Sequence, residues 1–546
     1  MSLARVSAGT TIDSYSENRA GRWLLAIVAL GLAARVFRWA LCFPLWSDEA
    51  FLSASFLQRG YSDMFRPLEY HQVCPLGFLW AQLSVVKLLG FSESSLRLVP
   101  LAASVAALLL FVRLASRVLT GAALVLAVAV FSFSYPGLRY AAEAKPYAVD
   151  ALVSVALLTL AVEWLRRGHR RRWLWALAAA TPLAIALSFP AVFVAGAISL
   201  AGLLTLLRRP GKGGWIGWLA FNLAVAGSLL AMYFWCIRPQ SSAELAGIMR
   251  PYWGPAFPPL TAPLRLAAWL FWTHTGDMLG HPVGGPNGAS LVTAIACALA
   301  LVVLCRRRRA TLLILALAPL ALNFIAAAAH RYPYGGHVRV ALYLMPLVCL
   351  LAGLGVAVVL DGLARARAEW AGWMAVLLVV MALVPIGSAI RDVASPGRTP
   401  SDARTRDFAR WFWPEQSRDA ELVCLKSDWH QNLAPQTFDF LYSSLYLCNQ
   451  GIYSPRHHRG EPPRLDRVSA EHPLRCVQYH SQKNPLDQPA VDAWLARMEP
   501  QWRLVARRQY RITHADKRDQ TVADVTKIEL WEFVPRTVSS SLVTRP

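Results

Sequence analysis

The sequence predicts an α-helical integral membrane protein of about eleven spanning helices that carries a soluble α/β domain at its C-terminal end. Three observations indicate this fold class. Hydrophobic residues make up 55% of the 546 positions and charged residues only 16%, whereas soluble domains have about 25% charged residues. The 21 tryptophans suit the interface between membrane and water. Apolar runs of the length that crosses a bilayer, about 20 residues, recur as far as residue 390.

The apolar runs define the predicted spans. They are, in chain order, Trp23–Phe43, Leu96–Leu119, Gly121–Leu138, Pro146–Leu165, Trp173–Phe189, Ala191–Leu207, Trp215–Ile237, Ser290–Cys305, Thr311–Ala329, Val338–Leu360 and Ala371–Ile390. The first span lacks a small-residue cleavage site and is expected to remain as an anchor. One further run, Leu76–Leu89, is short and contains Gln82 and Lys87, which predicts a helix that lies at the membrane surface.

Basic clusters predict the topology. If Leu76–Leu89 does not cross, the clusters at 113/117, 166–172, 208–212, 306–309 and 365/367 all lie on the side of the N-terminus. Positive clusters mark the cytoplasmic side, so the N-terminus is predicted to be cytoplasmic. We expect a membrane domain of residues 1–390 and an extracytoplasmic α/β domain of residues 391–546, with strand-like runs such as Glu421–Leu425 and Thr526–Val534.

Charge and cysteine usage exclude other classes. The net charge of +22 does not indicate a nucleic-acid partner, because the arginines lie in short clusters between apolar runs. The nine cysteines lack the spacing of a metal site. Cys424, Cys448 and Cys476 fall in the C-terminal region, where a disulfide can form in an oxidising compartment, and the sequence does not select a pair.

Two groups of polar residues follow the first span on the predicted outer side. Asp48 and Glu49 come directly after it, and ionisable residues at such a position are costly and often functional. Helix capping or solvation is the structural alternative. Residues 67–78 contain Glu69, His71 and Gln72. A lone histidine such as His71 is more often structural than a metal ligand or a contact to a substrate hydroxyl.

Two more groups lie between later spans. In residues 140–150, Lys145 could bind an anionic phosphate and Glu143 a sugar hydroxyl, or the two could form an internal ion pair. Residues 330–339 contain two arginines, two histidines and a Gly-Gly pair. Guanidinium groups match phosphate oxygens, and glycine permits close approach of a ligand. The segment 238–289 is predicted to be irregular and to act as a lid, and no P-loop, GxSxG, HExxH or Rossmann motif occurs.

The order of these groups resembles the membrane-embedded GT-C glycosyltransferases, in particular the bacterial relatives of protein O-mannosyltransferase and of lipid A aminoarabinose transferase. The resemblance covers roughly residues 20–390 and is carried by Trp46–Ala50, Glu69–Phe78, Tyr140–Tyr147 and Arg331–Gly336. One departure is Cys74-Pro75, where relatives often carry two prolines.

This resemblance implies transfer of a sugar, with inversion, from a polyprenyl-phosphate-linked donor in the bacterial inner membrane to a lipid, glycan or protein acceptor at the periplasmic face. It implies that an acid of the first outer loop is the general base, which by position is Asp48, next to Glu49. Groups implied at the donor and its phosphate are Lys145, Arg331, Arg339, Glu143 and Tyr147. Groups implied at the acceptor or the sugar are His71, Gln72, Glu69 and His337. Some GT-C enzymes use a divalent cation and others do not; the candidate ligands here are Glu49, Glu69 and His71.

Two other functional classes account less well for the sequence. A transporter or lipid flippase is expected to show repeated halves and ionisable residues near the bilayer midplane, and this sequence shows neither. A non-catalytic membrane scaffold leaves the outward clustering of acids, arginines and aromatic residues unexplained. The glycosyltransferase is therefore the predicted function.

Overall fold

The computed structural model describes residues 17–166, 171–208, 212–241, 252–283, 288, 290–366, 370–394, 400–416, 421–423, 440–454, 465–480, 488–514 and 524–536. Helices occupy most of these residues, and the strands that are described all lie after residue 420. The predicted helical membrane protein with a small C-terminal α/β part is thereby confirmed.

The α-helices are α1 (Glu17–Ala40), α2 (Ser47–Ser53), α3 (Leu76–Leu89), α4 (Glu93–Leu96), α5 (Leu98–Val118), α6 (Gly121–Phe133), α7 (Tyr135–Tyr140), α8 (Tyr147–Arg166), α9 (Arg171–Leu187), α10 (Ala191–Arg208), α11 (Lys212–Met232), α12 (Arg238–Gln240), α13 (Pro263–Thr273), α14 (Leu291–Arg306), α15 (Ala310–Ala328), α16 (Met345–Ala366), α17 (Trp370–Ala394), α18 (Pro400–Trp411), α19 (Phe440–Tyr453) and α20 (Gln488–Met498). The strands are β1 (Glu421–Val423), β2 (Leu474–His480), β3 (Trp502–His514) and β4 (Asp524–Pro535).

Within the described residues, 7 helices are long and apolar enough to cross a membrane, as expected of a multi-pass membrane protein. They are Gly21–Ala40, Leu98–Val118, Tyr147–Arg166, Ala191–Arg208, Gly213–Gln240, Ala310–Ala328 and Val338–Gly362. The run predicted to lie at the membrane surface forms α3, a 14-residue helix with the bounds expected from the sequence.

Two predicted elements differ from the structure. The predicted span Gly121–Leu138 is divided into α6 and α7, because the Ser134 hydroxyl accepts a hydrogen bond from the backbone N–H of Gly137 and so begins a new helix. The segment 238–289, predicted to be irregular, contains the 11-residue helix α13. That helix starts at Pro263, a residue favoured in the first turn because its missing N–H needs no partner there. Residues 242–251 of this segment lie outside the described residues.

The arginines of the first span have polar partners in α1 itself and on neighbouring helices. Arg35 is fully buried, and its Nε donates to the Ser104 Oγ at 2.9 Å. Its Nη1 donates to the carbonyl oxygens of Gly31 and Ser132 at 2.8 and 3.0 Å. Arg38 pairs with Asp392 of α17. Such pairing explains how two arginines are tolerated in an apolar helix.

The C-terminal strands form one sheet in the order β1-β2-β4-β3, in which only the β1–β2 pair is parallel. A small core of its own includes Leu474, Trp531 and Phe533. The buried Cys448 and Cys476 are separate free thiols, so they do not form the disulfide that the sequence allowed. Cys424 lies outside the described residues.

Helix α19 joins this C-terminal region to the loop after α1. The Cys448 Sγ donates to the carbonyl oxygen of Ala50 in α2 at 3.5 Å. The Tyr453 hydroxyl donates to the Glu93 Oε1 at 2.7 Å. The C-terminal region thus packs directly against the short helix that carries Asp48 and Glu49.

Candidate active site

The short helix α2 orients its two acids differently. The backbone is extended at Trp46 and turns helical at Ser47. Glu49 accepts a hydrogen bond from the backbone N–H of Trp46 at 3.4 Å, which caps the helix start, and acids are favoured in a first helical turn. Successive helical residues differ by about 100° around the axis, so Asp48 and Glu49 face different surroundings.

Glu49 faces the protein interior. Arg97 donates to it twice, from Nε to Oε1 at 2.8 Å and from Nη2 to Oε2 at 2.6 Å. The backbone N–H of Ala144 donates to Oε1 at 2.7 Å. Burial alone would lower the pKa of Arg97, but the Glu49 carboxylate raises it above its ordinary value. Glu49 therefore ties α2 to the start of α5 and to the turn before α8.

Asp48 instead lines a cavity of about 930 Å³. Its Oδ1 lies 3.0 Å from the Lys145 Nζ, and its Oδ2 accepts from the Arg339 Nη1 at 2.7 Å. The Asp48 side chain is 21% exposed, and the two cations are buried. The cavity is lined by residues 46–48, 51, 52, 70–75, 145–147, 150, 189, 190, 237, 252, 253, 331–333 and 339. At Asp48 the cavity wall thus combines one carboxylate with two cations.

Aromatic side chains surround the Arg339 guanidinium. The rings of Trp46, Trp253 and Tyr147 have centroids at 5.9, 5.8 and 6.0 Å from its Cζ. These are distances of cation–π contact. Its Nη2 also donates to the Tyr252 hydroxyl at 2.8 Å. Arg339 is therefore held from several sides rather than free to sample solvent.

The turn before Arg339 has an unusual backbone. Gly335 and Gly336 have φ of +77° and +80°, a region that favours glycine. The Tyr334 hydroxyl is 2.9 Å from the His274 Nε2. Burial lowers the pKa of His274, which favours the neutral imidazole in this contact. The turn is thereby anchored to the segment after α13.

The segment before α3 supplies the opposite wall of the cavity. Gln72 accepts a hydrogen bond from the Lys145 Nζ at 2.8 Å, and both Gln72 and His71 line the cavity. Tyr70 and His71 each have a φ of +52°, which is sparsely populated for residues other than glycine and tends to occur at functional sites. Gln240 accepts from the backbone N–H of Cys74 at 2.9 Å and holds this segment in place.

The cavity brings together some of the predicted site residues and not others. Those that line it are Asp48, His71, Gln72, Lys145, Tyr147, Arg331 and Arg339. Those that lie off it are Glu49, Glu69, Glu143 and His337. Glu69 pairs with Arg59 at 3.0 Å, and Glu143 pairs with Arg139 at 2.8 Å. The His337 Nε2 lies 3.3 Å from the Tyr252 hydroxyl.

The candidate metal ligands do not form a metal site. Across the described part of the chain, no three His, Cys, Asp or Glu side chains are grouped closely enough to hold an ion. Glu49 is bound by Arg97 and Glu69 by Arg59, so His71 does not share a site with them. No step of the reaction is therefore assigned to a metal ion.

The cavity residues that were not predicted as site residues include Tyr252, Trp253 and Asp150. Tyr252 and Trp253 come from the segment 238–289, where only aromatic richness pointed to a role. Asp150 lies three residues after Tyr147 in α8. That spacing places the two on one helix face, so helical periodicity was the signal for Asp150.

No protein-family model and no curated protein matches this chain. Among solved structures, the chain is similar to ArnT from Cupriavidus metallidurans in the apo state, with a TM-score of 0.49 and 14% identity, over 93% of this chain and 98% of that chain. For the same protein bound to undecaprenyl phosphate, the TM-score is 0.46 at 14% identity, with the same coverage. The apo oligosaccharyltransferase of Archaeoglobus fulgidus gives a TM-score of 0.43 and 14% identity, over 74% of this chain and 59% of that chain.

Proposed function

We propose that this chain is an integral membrane glycosyltransferase that moves a sugar from a polyprenyl-phosphate-linked donor to a lipid, glycan or protein acceptor. The observation that carries the proposal is the contact of Asp48 with Lys145 and Arg339 in the wall of a large cavity. Glycosyl transfer to a hydroxyl needs a proton acceptor, and a phosphate leaving group needs positive charge. The sequence resemblance to GT-C enzymes supports the same function.

In the proposed reaction the acceptor oxygen attacks the anomeric carbon. The new C–O bond forms as the bond from that carbon to the phosphate oxygen breaks, with inversion. The acceptor proton passes to the Asp48 carboxylate, and polyprenyl phosphate leaves with the electron pair. Lys145 and Arg339 contact the two carboxylate oxygens of Asp48 and hold the base in place.

Arg331 is the best placed of the three cations to bind the leaving phosphate. Lys145 and Arg339 already contact Asp48. Arg331 lines the same cavity, is exposed there, and makes no ion pair with any residue in the described ranges. In-line displacement places the attacking oxygen and the phosphate on opposite sides of the anomeric carbon. A separate cation for the phosphate lets Lys145 and Arg339 continue to orient the base.

The membrane orientation belongs to the same proposal. The basic clusters predict a cytoplasmic N-terminus, which puts the cavity and residues 391–546 on the periplasmic side of a bacterial inner membrane. The division into a membrane domain of residues 1–390 and a C-terminal domain of residues 391–546 is also proposed. The small separate core of the C-terminal sheet supports that division.

The test is transfer of radiolabelled sugar from a panel of polyprenyl-phosphate sugars by membranes that contain the wild type or Asp48→Asn at equal protein level. Asn preserves the size of the side chain but cannot take the proton, so we expect transfer to fall by about a hundredfold or more. Asp63→Asn is the matched control, because Asp63 is near in sequence but does not line the cavity. Equal transfer by wild type and Asp48→Asn would remove Asp48 as the base.

A further inference from the structure

We propose that Asp150 binds a hydroxyl or amino group of the transferred sugar and so selects the donor; this inference rests on the proposed function. Asp150 lies in the first turn of α8 and is 5% exposed. Its side chain lines the same cavity as Asp48, Lys145 and Arg339. It is a second carboxylate of the cavity and has no part in the reaction described above.

Asp150 has no cationic partner in the described part of the chain. Its Oδ1 is buried and makes no hydrogen bond there. A buried carboxylate is costly unless it is paired or hydrogen-bonded. A ligand that enters the cavity can supply the missing partner. The free-energy cost of burying Asp150 is then offset only when the ligand is bound.

One polar neighbour can satisfy Asp150 only in part. The Ser188 hydroxyl lies within hydrogen-bonding reach of the Asp150 carboxyl group, although the buried Ser188 Oγ and Asp150 Oδ1 do not meet hydrogen-bond geometry within the described ranges. One hydroxyl can donate only one hydrogen bond, whereas a carboxylate accepts at about four lone-pair sites. Acceptor capacity therefore remains at Asp150 even if the Ser188 hydroxyl turns toward it.

The backbone fixes the position of Asp150 relative to Lys145. Its N–H donates to the carbonyl oxygen of Pro146 at 2.9 Å, the first backbone bond of α8. Lys145 precedes this helix and contacts Asp48. With a rise of about 1.5 Å per residue, Asp150 lies roughly one helical turn beyond Lys145. A sugar whose anomeric carbon is near Asp48 can therefore present a ring substituent to Asp150.

The rest of this wall suits the faces of a sugar ring. Tyr147, Phe189, Pro190 and Tyr332 line the cavity with Asp150. Flat apolar side chains beside one acceptor match a ring with apolar faces and hydrogen-bond donors at its edge. The carboxyl oxygens of Asp150 can accept hydrogen bonds from substituents that donate, which are hydroxyl and amino groups.

The test compares wild type with Asp150→Asn in the purified full chain. Binding is followed by tryptophan fluorescence, because Trp46 and Trp253 line the cavity. The probes are a short-chain polyprenyl phosphate and the same lipid linked to mannose, glucose, galactose or arabinose. We expect the wild type to prefer at least one sugar-linked lipid, and we expect Asp150→Asn to reduce that preference by about tenfold. Its Kd for the bare lipid phosphate should not change.

Ser154→Ala is the matched control, since Ser154 is buried one turn further along α8 and does not line the cavity. Deoxy analogues of the preferred donor then identify the group, because loss of the contacted substituent should abolish the effect of Asp150→Asn. An unchanged preference would overturn the proposal. So would equal weakening for the bare lipid, or a wild type that does not distinguish the sugars. The Kd measurements do not depend on sugar transfer. Their outcome is therefore independent of the transfer assay on Asp48→Asn, which tests the proposed function.

Discussion

Arg97 and Glu49 form a buried, two-pronged ion pair, with Nε–Oε1 at 2.8 Å and Nη2–Oε2 at 2.6 Å. The same guanidinium donates to the carbonyl oxygens of Phe43 and Pro44 at 2.5 and 3.2 Å. The Arg97 side chain thus links the segment after α1 to the start of α5. Asp48, the adjacent residue, makes none of these contacts and lines the cavity. Two neighbouring acids therefore have separate roles.

Glu49→Gln should destabilise the protein more than it impairs chemistry. Removing one charge of a buried pair leaves the other uncompensated, and we expect a loss of about 3 kcal/mol in the free energy of unfolding. Thermal unfolding in detergent measures this, with the partly exposed Asp48→Asn as the matched variant. Normal thermal stability of Glu49→Gln together with lost transfer would instead make Glu49 a reacting group.

Arg331→Gln should reduce transfer by about tenfold or more without loss of stability, because the leaving phosphate loses a charged partner. Arg331→Lys should restore part of the activity, since the charge is kept while the paired donors are lost. The measurements are initial transfer rates and unfolding temperatures of the two variants. If Arg331→Gln transferred sugar at the wild-type rate, binding of the leaving phosphate would instead be assigned to Lys145 or Arg339.

His281 should make stability depend on pH. Burial lowers the pKa of His281 to about 3, from an ordinary value of about 6.5. Between these values the unfolded chain binds a proton that the folded protein does not, so stability falls as the pH drops below about 6.5. At pH 5 the expected loss is about 2 kcal/mol. His281→Gln should lose less stability between pH 7.5 and 5 in thermal unfolding, and an identical pH slope in both proteins would contradict this.

Gly335→Ala should disturb the turn that leads to Arg339. The φ of +77° disfavours a side chain, and an added Cβ would collide with the Thr273 side chain. We expect a loss of about 1–2 kcal/mol in the free energy of unfolding, together with slower transfer. Thermal unfolding and transfer rates measure both effects. Adding Thr273→Ala should recover part of the loss; no recovery would show that the backbone conformation alone is responsible.

Helix positions were predictable from the sequence because the membrane imposes a local rule. A chain in lipid must satisfy its backbone hydrogen bonds internally, so long apolar runs become helices wherever they occur. The runs predicted at Leu96–Leu119 and Ala191–Leu207 differ by at most two residues at either end from the observed helices Leu98–Val118 and Ala191–Arg208. The break at Ser134 was not predicted, because it depends on one side-chain hydrogen bond.

The membrane class, the helix α3 and the set of polar segments that build the site can be predicted from the sequence alone. Which of those residues come into contact depends on the tertiary structure. Asp48 and Arg339 are 291 positions apart, and no local pattern encodes a contact over that distance. The separation of Asp48 from Glu49, the pairing of Glu69 with Arg59, and the position of Asp150 in the cavity wall likewise follow from how the helices pack. Side-chain pairing depends on distance and direction in space, whereas hydropathy and periodicity depend only on neighbours along the chain.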